Sequence, residues 1–197
     1  MSATLWVLLA VGLALVFWAV GAYNRLVRLK NAIANAFGQI DVQLKRRYDL
    51  IPNLVEVARK YLAHEAQTLE AVIAARNQAR SAEQGAAANP LNAGALGALA
   101  GAEQVLGGAL GRLFAVAEAY PDLKADQTMR ELSEELSSTE NRIGFARQAY
   151  NDHVLEFNDA AAQFPTLIVA RLFNFSTQSM LESTSSEVER QPVKVAF

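Results

Sequence analysis

Side chains suited to chemistry are few and widely spaced in this 197-residue sequence: two histidines, His64 and His153, and no cysteine. Without cysteine there can be no disulfide framework, thiolate zinc site, iron–sulfur cluster or cysteine nucleophile. Each histidine is preceded three positions earlier by a tyrosine, Tyr61 or Tyr150. The Glu-x-x-His pairs of a di-iron helical site, which must face inward from one helix turn, are therefore missing. So are His-Glu-x-x-His, a Walker phosphate loop and Gly-x-Ser-x-Gly. Acidic neighbours such as Glu134 and Glu135 read as ordinary helix surface. Nothing groups a nucleophile with a base and an oxyanion stabiliser, so no catalytic residue, cofactor or metal is expected. The net charge of −2 lacks the dense basic face that nucleic acid demands.

The remaining information lies in the elements that would position any site. With 52% hydrophobic residues, five prolines and much Ala, Leu, Glu and Arg, the composition favours helix over strand. Residues 5–23, "LWVLLAVGLALVFWAVGAY", carry no charge. As a helix they would span about 28 Å, one hydrocarbon thickness. Trp6, Trp18 and Tyr23 lie near the ends, where amphipathic rings prefer the membrane interface. A cleaved signal peptide competes with a retained span, but signal peptides carry basic residues before the apolar run. Here Arg25, Arg28 and Lys30 follow it. That asymmetry predicts a retained transmembrane helix with its N-terminus outside and the remainder in the cytoplasm.

Beyond the span, Leu26, Leu29, Ile33, Phe37, Ile40 and Leu44 repeat at spacings of 3 and 4, one face of an amphipathic helix. A second stripe runs through Ile51, Val55, Ala58, Leu62, Leu69 and Val72 and fades into "AEQGAAANP", residues 82–90. Leu96, Leu99, Leu106, Leu110 and Leu113 mark a third helix, and "AYPDLKAD" at 119–126 is turn chemistry. The fourth pattern is the most regular: Met129, Leu132, Leu136, Thr139, Ile143, Ala146, Tyr150, His153, Phe157, Ala160 and Phe164. It reads as a bundle or coiled-coil seam. The expected class is all-α: an N-terminal transmembrane helix continuing into an up-and-down antiparallel four-helix bundle. Its parts are an external tail and span (1–23), bundle helices at 24–48, 50–82, 91–119 and 126–164, an apolar segment at 166–182, and a flexible tail at 183–197.

"QLKRRYDLIPN", residues 43–53, separates the first two stripes. Asp49 could cap a second helix with Pro52 in its first turn, and Lys45, Arg46 and Arg47 would suit the closing turn of the first. This predicts a helix-to-helix corner at 48–52, against the alternative of one helix kinked at Pro52. The corner would share a membrane-distal tip with 119–125, about 35–40 Å from the bilayer. Arg46, Arg47, Asp49, Tyr120 and Asp122 would then form one candidate partner surface. The opposite end would hold "TLIVARLFNF", residues 166–175, where Leu167, Ile168, Arg171, Phe173 and Phe175 are candidates for membrane-proximal or subunit contact, against the alternative of an ordinary segment docked on the bundle. Six of the eleven glycines fall between Gly94 and Gly111. The spacing of four in Gly97/Gly101 and Gly107/Gly111 suggests close helix packing, against Ala/Gly drift in a tolerant helix. Four aromatic-Asn pairs, Tyr150-Asn151 and Phe157-Asn158 among them, suggest amides that fix register between helices, against coincidence of composition.

Four stretches carry a family resemblance. "YNRLVRLKNAIANAFGQIDVQLKRRYDLIPNLVE", "EAYPDLKAD", "TENRIGFARQAYNDHVLEFN" and "FPTLIVARLFNF" together resemble the LemA family of bacterial membrane proteins. The resemblance covers nearly all of the chain after the apolar run. It implies one N-terminal membrane helix and a cytoplasmic helical bundle, and brings no established activity, cofactor or catalytic residue. The Gly/Ala-rich third helix and the tail past Glu182 depart from the usual pattern. The expected protein is a non-enzymatic scaffold of the bacterial inner membrane, held in the bilayer through residues 5–23 and self-associating. The alternative is an adaptor or sensor whose distal tip binds another protein, such as a membrane protease.

Overall fold

The computed structural model describes residues 3–181; the expected flexible tail at 183–197 lies outside them. Six helices and no strand make up the described residues: α1 (Ala3–Arg59), α2 (Ala66–Ala88), α3 (Ala93–Ala117), α4 (Pro121–Ala125), α5 (Gln127–Ala162) and α6 (Thr166–Leu172). Helix α1 packs along both α2 and α5, and α3 packs on α2. Its neighbours run antiparallel to it. Phe37 meets Tyr150 and Arg46 meets Glu135, while Lys45 and Tyr48 meet Glu83 and Arg76. The apolar stripes become one core: Leu26, Ile33, Phe37, Ile40 and Leu44 from α1, Leu96, Leu99, Leu106, Leu110 and Leu113 from α3, and Leu136, Ile143, Tyr150 and Phe157 from α5. Residues 3–18 of α1 project beyond that body with every side chain exposed.

The expected corner at 48–52 does not form. Helix α1 passes through Pro52 without interruption, so the helix boundaries at 48 and 50 are corrected to one helix ending at Arg59. A proline inside a helix removes the N–H that would bond the carbonyl four residues back, which here is that of Tyr48. The Nε of Arg76, on α2, donates to that carbonyl at 2.9 Å instead. A side chain 28 residues away thus satisfies the acceptor that Pro52 leaves open. The continuation places Ile51, Leu54, Val55 and Ala58 in the core. The reversal comes at residues 60–65, where Tyr61 and Leu62 N–H groups both donate to Ala58 O and the fully buried Leu62 plugs the turn.

Other boundaries shift for local reasons. Helix α2 continues through the expected loop at 82–90 as far as Ala88, because Glu83 and Ala86 are buried against neighbours. Asn92 caps α3 by accepting from Ala95 N–H, and Asp126 caps α5 by accepting from Met129 N–H. The α5 seam is buried at most of its expected positions, yet Phe164 is exposed and His153 only half-buried, with Val154 and Ala161 taking the inner positions. A straight helix drifts about 20° per heptad against a 3.5-residue repeat, which over this length displaces the buried face by about one residue.

Replacing Arg76 with Met should destabilise the protein by about 1–3 kcal/mol, the cost of an unsatisfied buried acceptor. In a Pro52→Ala background, where the backbone donor is restored, the same replacement should cost clearly less. Thermal unfolding of the two single variants and the double variant measures that difference.

Candidate functional site

The buried charge of this protein gathers around residues 41–48 of α1. Arg47 is 4% exposed and its Nη1 lies 2.7 Å from Glu103 Oε2 on α3. The hydroxyl of Tyr48 donates to the other Glu103 oxygen at 2.6 Å. From α5, Glu140 approaches Arg47 Nε at 3.2 Å and Arg147 approaches Glu103 at 3.8 Å. Three helices are thereby joined through one acid that itself sits in the core. Burial, the negative charge of Glu103 and its hydrogen bond push the Tyr48 hydroxyl far above the ordinary tyrosine range, so it stays a donor.

One turn away, α1 faces α2 through a carboxyl pair. Glu83 is 1% exposed and its carboxyl lies beside that of Asp41. Lys45 reaches Asp41 at 2.6 Å and Glu83 at 3.7 Å. Burial, then the hydrogen bond and negative charge of Asp41, push Glu83 up to about 7. Burial alone would raise Asp41 too, but the hydrogen bonds to Glu83 and Lys45 and the lysine's charge carry it below the usual carboxylate range. Two carboxyls in one dry site cannot both ionise cheaply. Glu83 therefore holds the proton and Asp41 the charge.

A family model for the LemA family matches residues 36–197, a stretch that includes both polar clusters. The chain belongs to the LemA family. It is 28% identical over 177 residues to the protein LemA of Metamycoplasma hominis, covering 90% of this chain and 75% of that one. It is 27% identical over 168 residues to the magnetosome protein MamQ of Magnetospirillum gryphiswaldense, and equally to magnetosome protein MamQ 2 of Paramagnetospirillum magneticum. These alignments cover 78% of this chain and 62% of each MamQ protein.

In this LemA-family chain the five residues expected at one distal surface do not meet. Arg47 is buried in the network above, and Arg46 pairs with Glu135. The side chain of Asp49 is 76% exposed beside Arg76 at 3.9 Å. All three lie on α1 some 10–13 residues before Arg59, about 15–20 Å below the tip. Tyr120 and Asp122 do lie at the tip, beside a different corner: Tyr61 donates to Asp126 at 2.9 Å and ties the 60–65 turn to the start of α5. That hydrogen bond raises the Tyr61 hydroxyl, while Met129 N–H and Tyr61 together lower Asp126. The tip stands about 54 Å along α1 from Tyr23, not 35–40 Å.

The expected close packing at Gly97, Gly101, Gly107 and Gly111 is also absent among the described residues, because a Cβ at any of them would meet nothing within 4 Å there. The leucines of α3 face inward, so its glycines fall on the outer side, where all are exposed. Gly107 and Gly111 border a 370 Å³ cleft between α3 and α5, beside Leu110, Phe114 and Leu136.

Asn151 and Asn158 act differently from the expected helix-register amides. Each donates to a backbone carbonyl and accepts the N–H of that same residue, Leu181 for Asn151 and Gln178 for Asn158, at 2.8–2.9 Å. Seven helical residues rise about 10.5 Å, and three extended residues cover about 10 Å. The two amides therefore hold residues 178–181 along α5 as a neighbouring strand would.

Glu103 and Glu83 are absent from the residues expected to matter, although the sequence carries a signal for both. Glu103 falls between Leu99 and Leu106 at the 4-then-3 spacing of the α3 stripe, and Glu83 falls between Ala79 and Ala86 in α2. An acid inside an apolar stripe calls for a cationic or hydrogen-bonding partner. Lys45 and Arg47 were already conspicuous on α1.

Because the folded chain holds the Glu83 proton more tightly than the unfolded chain, this group stabilises the fold fully below pH 4.5, and that contribution is lost as pH rises through about 7. Glu83→Gln should flatten that decline in denaturant unfolding measured from pH 4.5 to 8. Asp41 acts with the opposite sign, below its ordinary range, and so outside this window.

Proposed function

We propose that this protein is a non-enzymatic, membrane-anchored scaffold that self-associates at the bacterial inner membrane. The observation that carries the reading is the continuity of α1. One 57-residue helix holds the apolar run at its start, exposed through residue 18, and contributes Leu26, Ile33, Phe37, Ile40 and Leu44 to the core. With residues 5–23 as a transmembrane helix, the four long helices form an up-and-down antiparallel bundle on a stiff stalk, with no hinge between span and bundle. The exposed Arg25, Arg28 and Lys30 after the span favour an outside N-terminus and a cytoplasmic bundle.

The interior charges support the non-enzymatic part. Arg47, Tyr48, Glu103, Asp41 and Glu83 are engaged with one another between helices, an arrangement that fixes helix positions and register. Self-association is supported by the outer face of α3. Gly94, Gly97, Gly101, Gly108 and Gly111 share a 3-and-4 spacing with Gln104 on that exposed face. Each interior glycine costs a helix about 1 kcal/mol against alanine, a cost that close approach of a second copy would offset. Parallel anchors confine copies to two dimensions and raise their effective concentration. The adaptor reading, with a membrane protease as partner, keeps only Tyr120 and Asp122 of its five residues at the tip.

A single cysteine at Val105 of this cysteine-free chain should give crosslinked dimers or larger species in native membranes. Gly101→Leu should preserve the fold, since Gly101 is exposed and a Cβ there meets nothing within 4 Å among the described residues, and should lower the crosslinking yield. Detergent-extracted full-length protein eluting as a strict monomer, with no crosslinks in membranes, contradicts self-association.

A further inference from the structure

We propose that α6 is an interfacial helix whose outer face lies in the headgroup–acyl boundary of the bilayer, packed against the end of the span. The inference rests on reading residues 5–23 as membrane-spanning, and adds a second, lateral contact with lipid. Helix α6 docks at the last turns of that run. Ala22 is buried and Ala19 partly covered, although both belong to the charge-free stretch. The ring of Tyr23, the last residue of the run, meets Phe173 edge-on at 4.8 Å and Phe175 at 5.6 Å. Whatever packs there sits at the depth where the span leaves the bilayer.

Helix α6 has two faces. Val169 and Ala170 are buried against α1 and α5. On the other side Ile168 and Leu172, four apart, are 57% and 73% exposed, and Phe164, just before the helix, is 81% exposed. Water would cover this apolar edge if the bundle stood clear of the membrane. Beside the last turn of a span, the apolar solvent that meets such an edge is lipid, whether or not a second copy is near. Arg171 is exposed on the same helix, and Arg25 and Arg28 are exposed within two turns of Tyr23 on α1. Apolar side chains at the boundary with guanidinium groups just above them are the pattern of an in-plane amphipathic segment on anionic lipid. With contacts at both the span and α6, rotation of the bundle about the α1 axis would be restricted, so the same side of the protein would face its neighbours in the membrane plane.

The absence of cysteine makes a depth measurement direct. Full-length protein with one cysteine at Leu13, Ile168 or Phe145, labelled with an environment-sensitive fluorophore, is reconstituted in phosphatidylcholine–phosphatidylglycerol vesicles containing bromolipid as quencher. Phe145 is exposed on α5 far from the membrane end and reports the aqueous level. The Leu13 and Ile168 labels should both be quenched several-fold more than the Phe145 label, the Ile168 label by the shallower bromolipids. An Ile168 label quenched no more than Phe145, with Leu13 quenched, overturns the interfacial helix and leaves the span intact. An Ile168 label that is blue-shifted yet unquenched by bromolipid is covered by another copy, and this also overturns it. A Leu13 label that escapes quenching removes the span and the inference together.

Discussion

A long-range hydrogen bond, from Arg76 Nε to the carbonyl of Tyr48, supports the continuation of α1 through Pro52, on which the placement of the tip and of α2 rests. Proline leaves that carbonyl without its helical donor, and a buried carbonyl without a partner costs about 1–3 kcal/mol. With Arg76 in place the helix continues for seven residues past Pro52, and Leu54, Val55 and Ala58 enter the core. The reversal then moves to 60–65, and the tip is built from that turn and the start of α5, joined by Tyr61 and Asp126. The bond also ties α2 to α1 at the level where the two internal charge clusters begin.

Those clusters follow the same logic of supplying long-range partners to groups that would be costly alone. Glu103 in the α3 stripe and Glu83 in the α2 stripe are both nearly inaccessible. A buried ion pair adds little net stability, but removing one partner costs about 3–5 kcal/mol. Arg47, Tyr48, Lys45 and Asp41 are therefore best understood as fixing where α2 and α3 sit along α1. The strand-like grip of Asn151 and Asn158 on residues 178–181 does the same for the segment beyond α6. These are directional interactions, and they specify register where leucines of similar size would tolerate a shift.

Much of the fold could be read from spacing. The stripes at Leu26–Leu44, Leu96–Leu113 and Met129–Phe157 are the buried faces, because a helix must hide such a stripe whatever its neighbours. Local chemistry at 48–52 fits both a cap and a continuous helix, and the partner that favours the helix, Arg76, lies 28 residues away. The true turn at 60–65, "KYLAHE", contains neither Gly nor Pro. It forms through Leu62 burial and the tie from Tyr61 to Asp126, neither of which has a local signature. The charged site was half legible. Arg47 is conspicuous in the sequence, but nothing local separates a surface arginine from a buried one whose acid lies 56 residues along the chain. The glycines of α3 were conspicuous as well, but spacing alone does not say whether a small face points inward or outward.

The continuous α1 joins the apolar N-terminal run to the tip as one helix, and a distance along it tests the account most directly. Spin labels at Lys30 and Glu56, both exposed on α1, are 26 residues apart, about 39 Å along a continuous helix. Pulsed dipolar spectroscopy of the doubly labelled full-length protein should give one narrow distribution near that value. If the chain instead reversed at 48–52, Glu56 would run back alongside α1 and the separation would fall to about 20–25 Å. A dominant population at the shorter distance would contradict the continuous helix, the position of the tip and the stiff stalk together.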